Sequence, residues 1–204
     1  MEALIDVAPL HGRDRIDLVR GALDAWLHPP APSSIPAVAA IVGGGLWTVA
    51  AAAVVLQPAP PQWPGYLLEI VGLALVAAGF LLVATLGCTL RAEGRGRRPK
   101  ALAVAVTIAG YAAWIGALAA TAAGVLDGPT LAVAQTIAML GSALTGAVLL
   151  RVGDEAIGLL ILTGAIAMLV PWTTLWLVLG ASWTAVGCIL AAQRIRGPGD
   201  WRVS

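Results

Sequence analysis

Apolar positions along the chain gather into six runs separated by short polar or Pro/Gly-rich breaks. The runs fall at about 35–57, 66–90, 101–126, 131–150, 155–170 and 173–192. A helix needs roughly 20 residues to cross a bilayer core of about 30 Å. The first four runs meet that length. The last two are short and share a Pro171-Trp172 break, which fits a tight helical hairpin or a re-entrant pair. The hairpin is preferred because it leaves both chain ends on one side. The pattern therefore predicts an all-α integral membrane protein with six transmembrane helices.

A different pattern precedes the runs. In "GRDRIDLVRGALDAWLH" the apolar residues Ile16, Val19, Leu23, Trp26 and Leu27 recur at helical spacing and form one stripe. Arg13, Asp14, Asp17, Arg20 and Asp24 fall largely on the other side, with Arg13–Asp17 and Arg20–Asp24 as i,i+4 pairs. An amphipathic helix over about 13–28 is expected, lying on the membrane surface or against a partner. Ile16, Val19, Leu23 and Trp26 are the candidate partner-binding ridge. "PPAPSSIP" then stops that helix, with Ser33 or Ser34 available as a cap and Pro36 in the next first turn. The expected organisation is an N-terminal segment over 1–34, a bundle over 35–192 and a tail over 193–204.

Composition supports the membrane class. Of 204 residues, 59% are hydrophobic and 11% are charged, and the mean hydropathy is +0.90. Soluble domains are about a quarter charged. A net charge of +1 points away from a nucleic-acid partner. The Arg, Ala and Gly bias suits a GC-rich bacterial genome.

The charges also orient the chain. The connections "QPAPPQWPG", "LDGPT" and "PW" hold no Lys or Arg. The basic residues are Arg13, Arg15 and Arg20 ahead of the first run, and Arg91, Arg95, Arg97, Arg98 and Lys100 after the second. Arg151 follows the fourth run, and Arg194, Arg196 and Arg202 follow the sixth. Six crossings put all of them on one face, which the positive-inside rule makes the cytoplasm, with both termini inside. The loop "RAEGRGRRPK" reads mainly as a topology determinant. Its basic residues also attract anionic lipid, and its Gly and Pro content predicts a non-helical turn.

Few residues suggest chemistry. Glu69 is the acidic residue inside a predicted span, a position that is functional by default, although it lies in a first turn near the lipid–water boundary. Gln135 lies at similar depth. With Tyr66, Thr121, Asp127, Thr173 and Thr174 they define a candidate outward-facing polar pocket, to which the mid-span Trp114 adds a stacking surface. Trp47, Trp114 and Trp183 otherwise read as core. Trp63, Trp172 and Trp176 suit an outer aromatic belt, and Trp26 and Trp201 an inner one. Cys88 and Cys188 read as small packing residues. His11 and His28 are the only histidines and lie outside the runs, so no intramembrane histidine is available to haem or chlorophyll. No HExxH, GxSxG, CxxC or Walker-type loop occurs. No catalytic residue, metal ligand or cofactor is assigned.

Small residues recur four apart. Ala112, Gly116, Ala120 and Gly124 form one row, and Ala134, Ala138, Ser142 and Gly146 another. Such rows let backbones approach closely in lipid. These two are expected to face each other, with homo-oligomerisation as the other use. "GGG" at 43–45 is expected to permit close packing or a kink.

"RDRIDLVRGALDAWLHPP" at 13–30 and "PWTTLWLVLGASWTAVGCILAAQRIRG" at 171–197 carry a resemblance. They look like the two ends of small multi-pass membrane proteins of Chloroflexi and actinobacteria. In those proteins a stretch resembling "YPRAWRxRYGEEF" precedes a "RGALDAHLHP"-type segment and a helical bundle. This chain lacks the first stretch, so the resemblance makes it a short or truncated member. It implies the topology and the cytoplasmic helix, and it carries no catalytic residues.

The expected function is that of a non-enzymatic inner-membrane accessory or interaction subunit. Its partners would be the bilayer and a protein met by the N-terminal helix or the transmembrane surface. The alternatives are a small-solute transporter or substrate-binding component using Glu69, Gln135 and the mid-span tryptophans, and an accessory subunit of a redox or photosynthetic complex.

Overall fold

A computed structural model describes residues 34–56, 63–91, 97–126, 128–170 and 172–196. The described residues form six α-helices: α1 (Ile35–Leu56), α2 (Trp63–Arg91), α3 (Arg97–Ala122), α4 (Gly128–Val152), α5 (Glu155–Leu169) and α6 (Trp176–Arg196). A 3₁₀ turn, Thr173–Leu175, leads into α6. Five helices are long and apolar enough to cross a membrane, and α5 is shorter. The amphipathic helix expected over 13–28, with Ile16, Val19, Leu23 and Trp26, lies outside the described residues, as do Arg95 and the tail beyond Arg196.

Local sequence sets the helix ends. Pro36, Pro64, Pro99 and Pro129 each stand in the first turn of their helix, where the missing N–H has no intrahelical acceptor to lose and the fixed φ suits the helix. This corrects one expectation about the basic loop. Arg97 to Lys100 are helical, because a proline at the third position opens a helix as readily as it ends one. The third run also stops earlier than expected. Gly124 adopts φ +71, Val125 N–H bonds Ala120 O and Gly124 N–H bonds Thr121 O, which together cap α3. Gly153 at φ +96 closes α4 in a similar way, with Asp154 N–H on Leu149 O.

Each helix packs on its successor, and α6 packs on α1, closing a ring; α2 also reaches α4 across it. At 15 residues, α5 rises about 22 Å, less than a bilayer core. Extended Val170 and the 3₁₀ turn add to its reach. The α5–α6 pair packs side by side, with Gly164 against Leu179 and Ser182.

Glycine makes the tightest approaches. A Cβ on Gly44 would lie 2.6 Å from Gly180 O and from Thr184 N, and one on Gly43 would lie 2.9 Å from Phe80 Cβ. "GGG" therefore sets α1 against α6 on one side and α2 on the other. The Thr48 and Thr184 hydroxyls bond the Gly44 and Gly180 carbonyls of their own helices, at 2.8 and 2.9 Å, so neither hydroxyl needs water.

The rows on α3 and α4 are placed differently from expectation. Ala134, Ala138, Ser142 and Gly146 are buried, but Ala112, Gly116 and Gly124 are exposed and Ala120 is only partly covered. The face that α3 turns inward is Ala103, Thr107, Gly110, Tyr111 and Trp114, and Gly110 meets the backbone of Ile137 and Ala138. Burying the two aromatics and pairing the tyrosine hydroxyl outweighs burying a row of alanines.

Candidate functional site

The most organised polar feature sits inside the bundle, where α2, α3 and α4 meet. It comprises Thr85 and Thr89 from α2, Thr107 and Tyr111 from α3, and Ser142 and Thr145 from α4, all fully buried. Spacings of three or four residues put each pair on one helix face. Tyr111 Oη lies 2.9 Å from Ser142 Oγ and 3.4 Å from Thr85 Oγ1. Thr89 Oγ1 and Thr145 Oγ1 are 2.7 Å apart, a direct polar tie between α2 and α4.

Proton bookkeeping orders this cluster. Thr85 Oγ1 is also 2.7 Å from Leu81 O. A carbonyl only accepts, so Thr85 is the donor there, and the same hydroxyl is the donor toward Tyr111 Oη at the longer 3.4 Å. Thr89 lies 2.8 Å from Thr85 O. Giving its proton to that carbonyl leaves Thr145 to donate to Thr89. Each of these hydroxyls then has a partner without water, as a group inside a membrane bundle requires.

Thr107 is the exception. Its buried Oγ1 has no partner, as is also true of Trp183 Nε1 and Gln193 Oε1. Thr107 packs where Gly141 leaves room, with a Cβ on Gly141 falling 3.0 Å from that oxygen. Opposite results follow for two isosteric changes. Thr107→Val should stabilise the bundle by up to about 1 kcal/mol, because it removes an unsatisfied buried hydroxyl. Thr89→Val should cost about 0.6–1.7 kcal/mol, the range for interhelical hydrogen bonds in membranes. Unfolding in mixed detergent micelles measures both.

An aromatic chain continues from the hydroxyls. Tyr111 meets Trp114 edge-on at 5.6 Å between ring centroids, and Trp114 meets Trp47 at 5.2 Å. The Trp47 indole N–H donates to Trp176 O at 3.0 Å, in the first turn of α6. Contacts of this kind add about 0.5–1.5 kcal/mol to simple burial. Trp47, Trp114 and Trp183 are all buried.

The residues expected to line an outward pocket are placed separately. Glu69 is exposed and shares a helix face with the exposed Val76, Phe80 and Val83, so it looks outward from the ring. The Gln135 amide donates to Met168 O at 3.3 Å and thereby holds the end of α5. Thr121 bonds Ala117 O on its own helix. Trp114 is packed between Trp47 and Tyr111. The Tyr66 side chain and Asp127 lie outside the described residues, and Thr174 is exposed. Trp172 is 69% exposed, as a belt residue would be. Cys88 is buried, whereas Cys188 is exposed and is not an interior packing residue. Among the described residues, no three His, Cys, Asp or Glu side chains group as metal ligands would.

At the basic end, Arg91, Arg98 and Arg151 are exposed. Lys100 Nζ donates to Leu90 O at 2.8 Å and so joins the start of α3 to the end of α2.

The hydroxyl cluster was not singled out from the sequence. A signal existed: hydroxyl pairs at helical spacing recur in three consecutive runs. No family model matches the chain, and no curated protein and no solved structure matches it either.

Proposed function

We propose that this chain is a non-enzymatic accessory or interaction subunit of a complex in the bacterial cytoplasmic membrane, with both termini in the cytoplasm. The observation that carries this reading is how the ring interior is used. Trp114, Trp183, Tyr111, Leu81 and Met139 occupy it, fully buried, and five of the six hydroxyls in the α2–α3–α4 cluster are bonded to one another or to backbone carbonyls. A bundle whose middle is given over to its own packing has its outer faces and its ends left for recognition.

The orientation rests on the Lys and Arg distribution between the runs. The resemblance of 13–30 and 171–197 to small multi-pass bacterial membrane proteins supports the same class. The partner is a protein with an apolar groove, filled by the ridge Ile16, Val19, Leu23 and Trp26.

The double variant Val19→Asp, Leu23→Asp tests this reading. It should remove the partner from gently solubilised membranes while the bundle keeps its thermal stability. Unchanged partners with unchanged membrane association would reject the proposal.

A further inference from the structure

Glycines inside the helices fall into two sets. Those of α5 and α6, with Gly141 and Gly146 of α4, each meet a neighbouring helix where a Cβ would stand. Gly72 and Gly79 of α2 do not: a Cβ at either would meet nothing within 4 Å. Both share an outward face of α2 with Glu69, Val76 and Val83, which are exposed. The positions 69, 72, 76, 79 and 83 follow steps of three and four residues, the spacing of a straight seam between two helices. The seam is about 21 Å long. Along it the valines stand out as knobs and the glycines leave open holes between them.

Glu69 closes the seam at one end. It lies about 33 Å from Arg91 along α2, against a bilayer core of about 30 Å, so its carboxylate stands at the edge of the core. Among the described residues nothing pairs with it. A carboxylate at that depth calls for a cation beside it.

We infer that this face of α2 docks a transmembrane helix of a protein partner, and that the partner helix carries a Lys or Arg near its outer end, opposite Glu69. The glycines let a second backbone approach closely. The seam spacing keeps two helices in contact over its length, and the ion pair sets their register. A second copy of this chain does not fit. A twofold pair through the seam would set Glu69 beside Glu69, and the connections "QPAPPQWPG", "LDGPT" and "PW" hold no Lys or Arg to offset them. The inference rests on the reading of the chain as an interaction subunit, and adds a contact within the membrane to the N-terminal one.

Site-directed photocrosslinking in native membranes tests it. The full chain carries benzoylphenylalanine in place of Val76 on the seam, or of Leu159 on α5, which is also exposed. Crosslinked peptides are mapped by mass spectrometry. Position 76 should crosslink one transmembrane peptide with a Lys or Arg at its outer end, and position 159 should not. Glu69→Gln should lower the yield about threefold to fifteenfold, as expected for one polar contact between membrane helices. Gly79→Leu should abolish it while the bundle keeps its thermal stability, because the added side chain enters open space. Glu69→Arg should lose the crosslink and regain it when the partner's basic residue is changed to Glu.

The seam is refuted if position 76 captures only lipid or a second copy of this chain. It is refuted equally if the yield at 76 matches that at 159, or if Glu69→Gln leaves it unchanged. Val19→Asp, Leu23→Asp run alongside separates the two contacts. A charge-dependent crosslink at 76 that survives beside unchanged partners would reject the N-terminal contact and leave the seam standing.

Discussion

Replacing Trp114 by alanine should destabilise the bundle by about 3–5 kcal/mol, the usual cost of deleting a buried aromatic from a packed interior. Trp114 is fully buried and touches Trp47 on one side and Tyr111 on the other. Its loss would empty the middle of the ring and release the tyrosine that bridges α2 and α4 through Thr85 and Ser142. Unfolding by SDS titration in mixed micelles measures the change. A platform for a bound aromatic ligand would behave differently. There the variant would lose ligand affinity with little effect on stability of the empty protein. A cost below about 1 kcal/mol would return Trp114 to the list of ligand-contacting residues.

The second large effect separates two neighbouring glycines. Gly44→Ala should cost about 2–3 kcal/mol, at the upper end for overpacking. The added Cβ would stand 2.6 Å from Gly180 O and Thr184 N, backbone atoms that move only if the whole helix moves. Gly45→Ala, one residue on, meets nothing within 4 Å. It should be neutral or stabilising by up to about 1 kcal/mol, from the better helix propensity of alanine. The same chemical change at adjacent positions thus has opposite signs. Equal effects would mean that α1 and α6 do not meet through Gly44, and the ring would not be closed there.

Much of this fold is legible in the sequence. Apolar run length locates six helices to within a few residues, because lipid demands that length. The distribution of Lys and Arg proposes their direction. Proline in the first turn and glycine at positive φ fix several ends. Rotation about each helix axis is harder to read. A soluble helix declares its buried face by polarity, but lipid is as apolar as a bundle core, so α3 offers no such contrast. Its row Ala112–Gly116–Ala120–Gly124 looked suited to an interface and is turned outward. Tyr111 and Trp114 decide the rotation, one through its hydroxyl partners and the other through its bulk. The pocket assembled from Glu69, Gln135 and Thr121 was hard to judge for the same reason. Depth in the membrane is readable from sequence, but direction around the axis is not. Glu69 looks outward with Val76 and Phe80, while Gln135 is turned to the end of α5. The hydroxyl cluster escaped notice because threonine and serine pass as ordinary helix residues until their partners on other helices are known.

The central claim is that the bundle interior serves packing and that recognition belongs to its outer faces and N-terminal helix. Native mass spectrometry of the protein released intact from gently extracted membranes tests it most directly. The predicted spectrum contains the chain bound to a stoichiometric protein partner, and that complex disappears with Val19→Asp, Leu23→Asp. A spectrum showing the chain alone with one small, non-lipid solute, retained after the lipids are stripped and lost with Trp114→Ala, would contradict it.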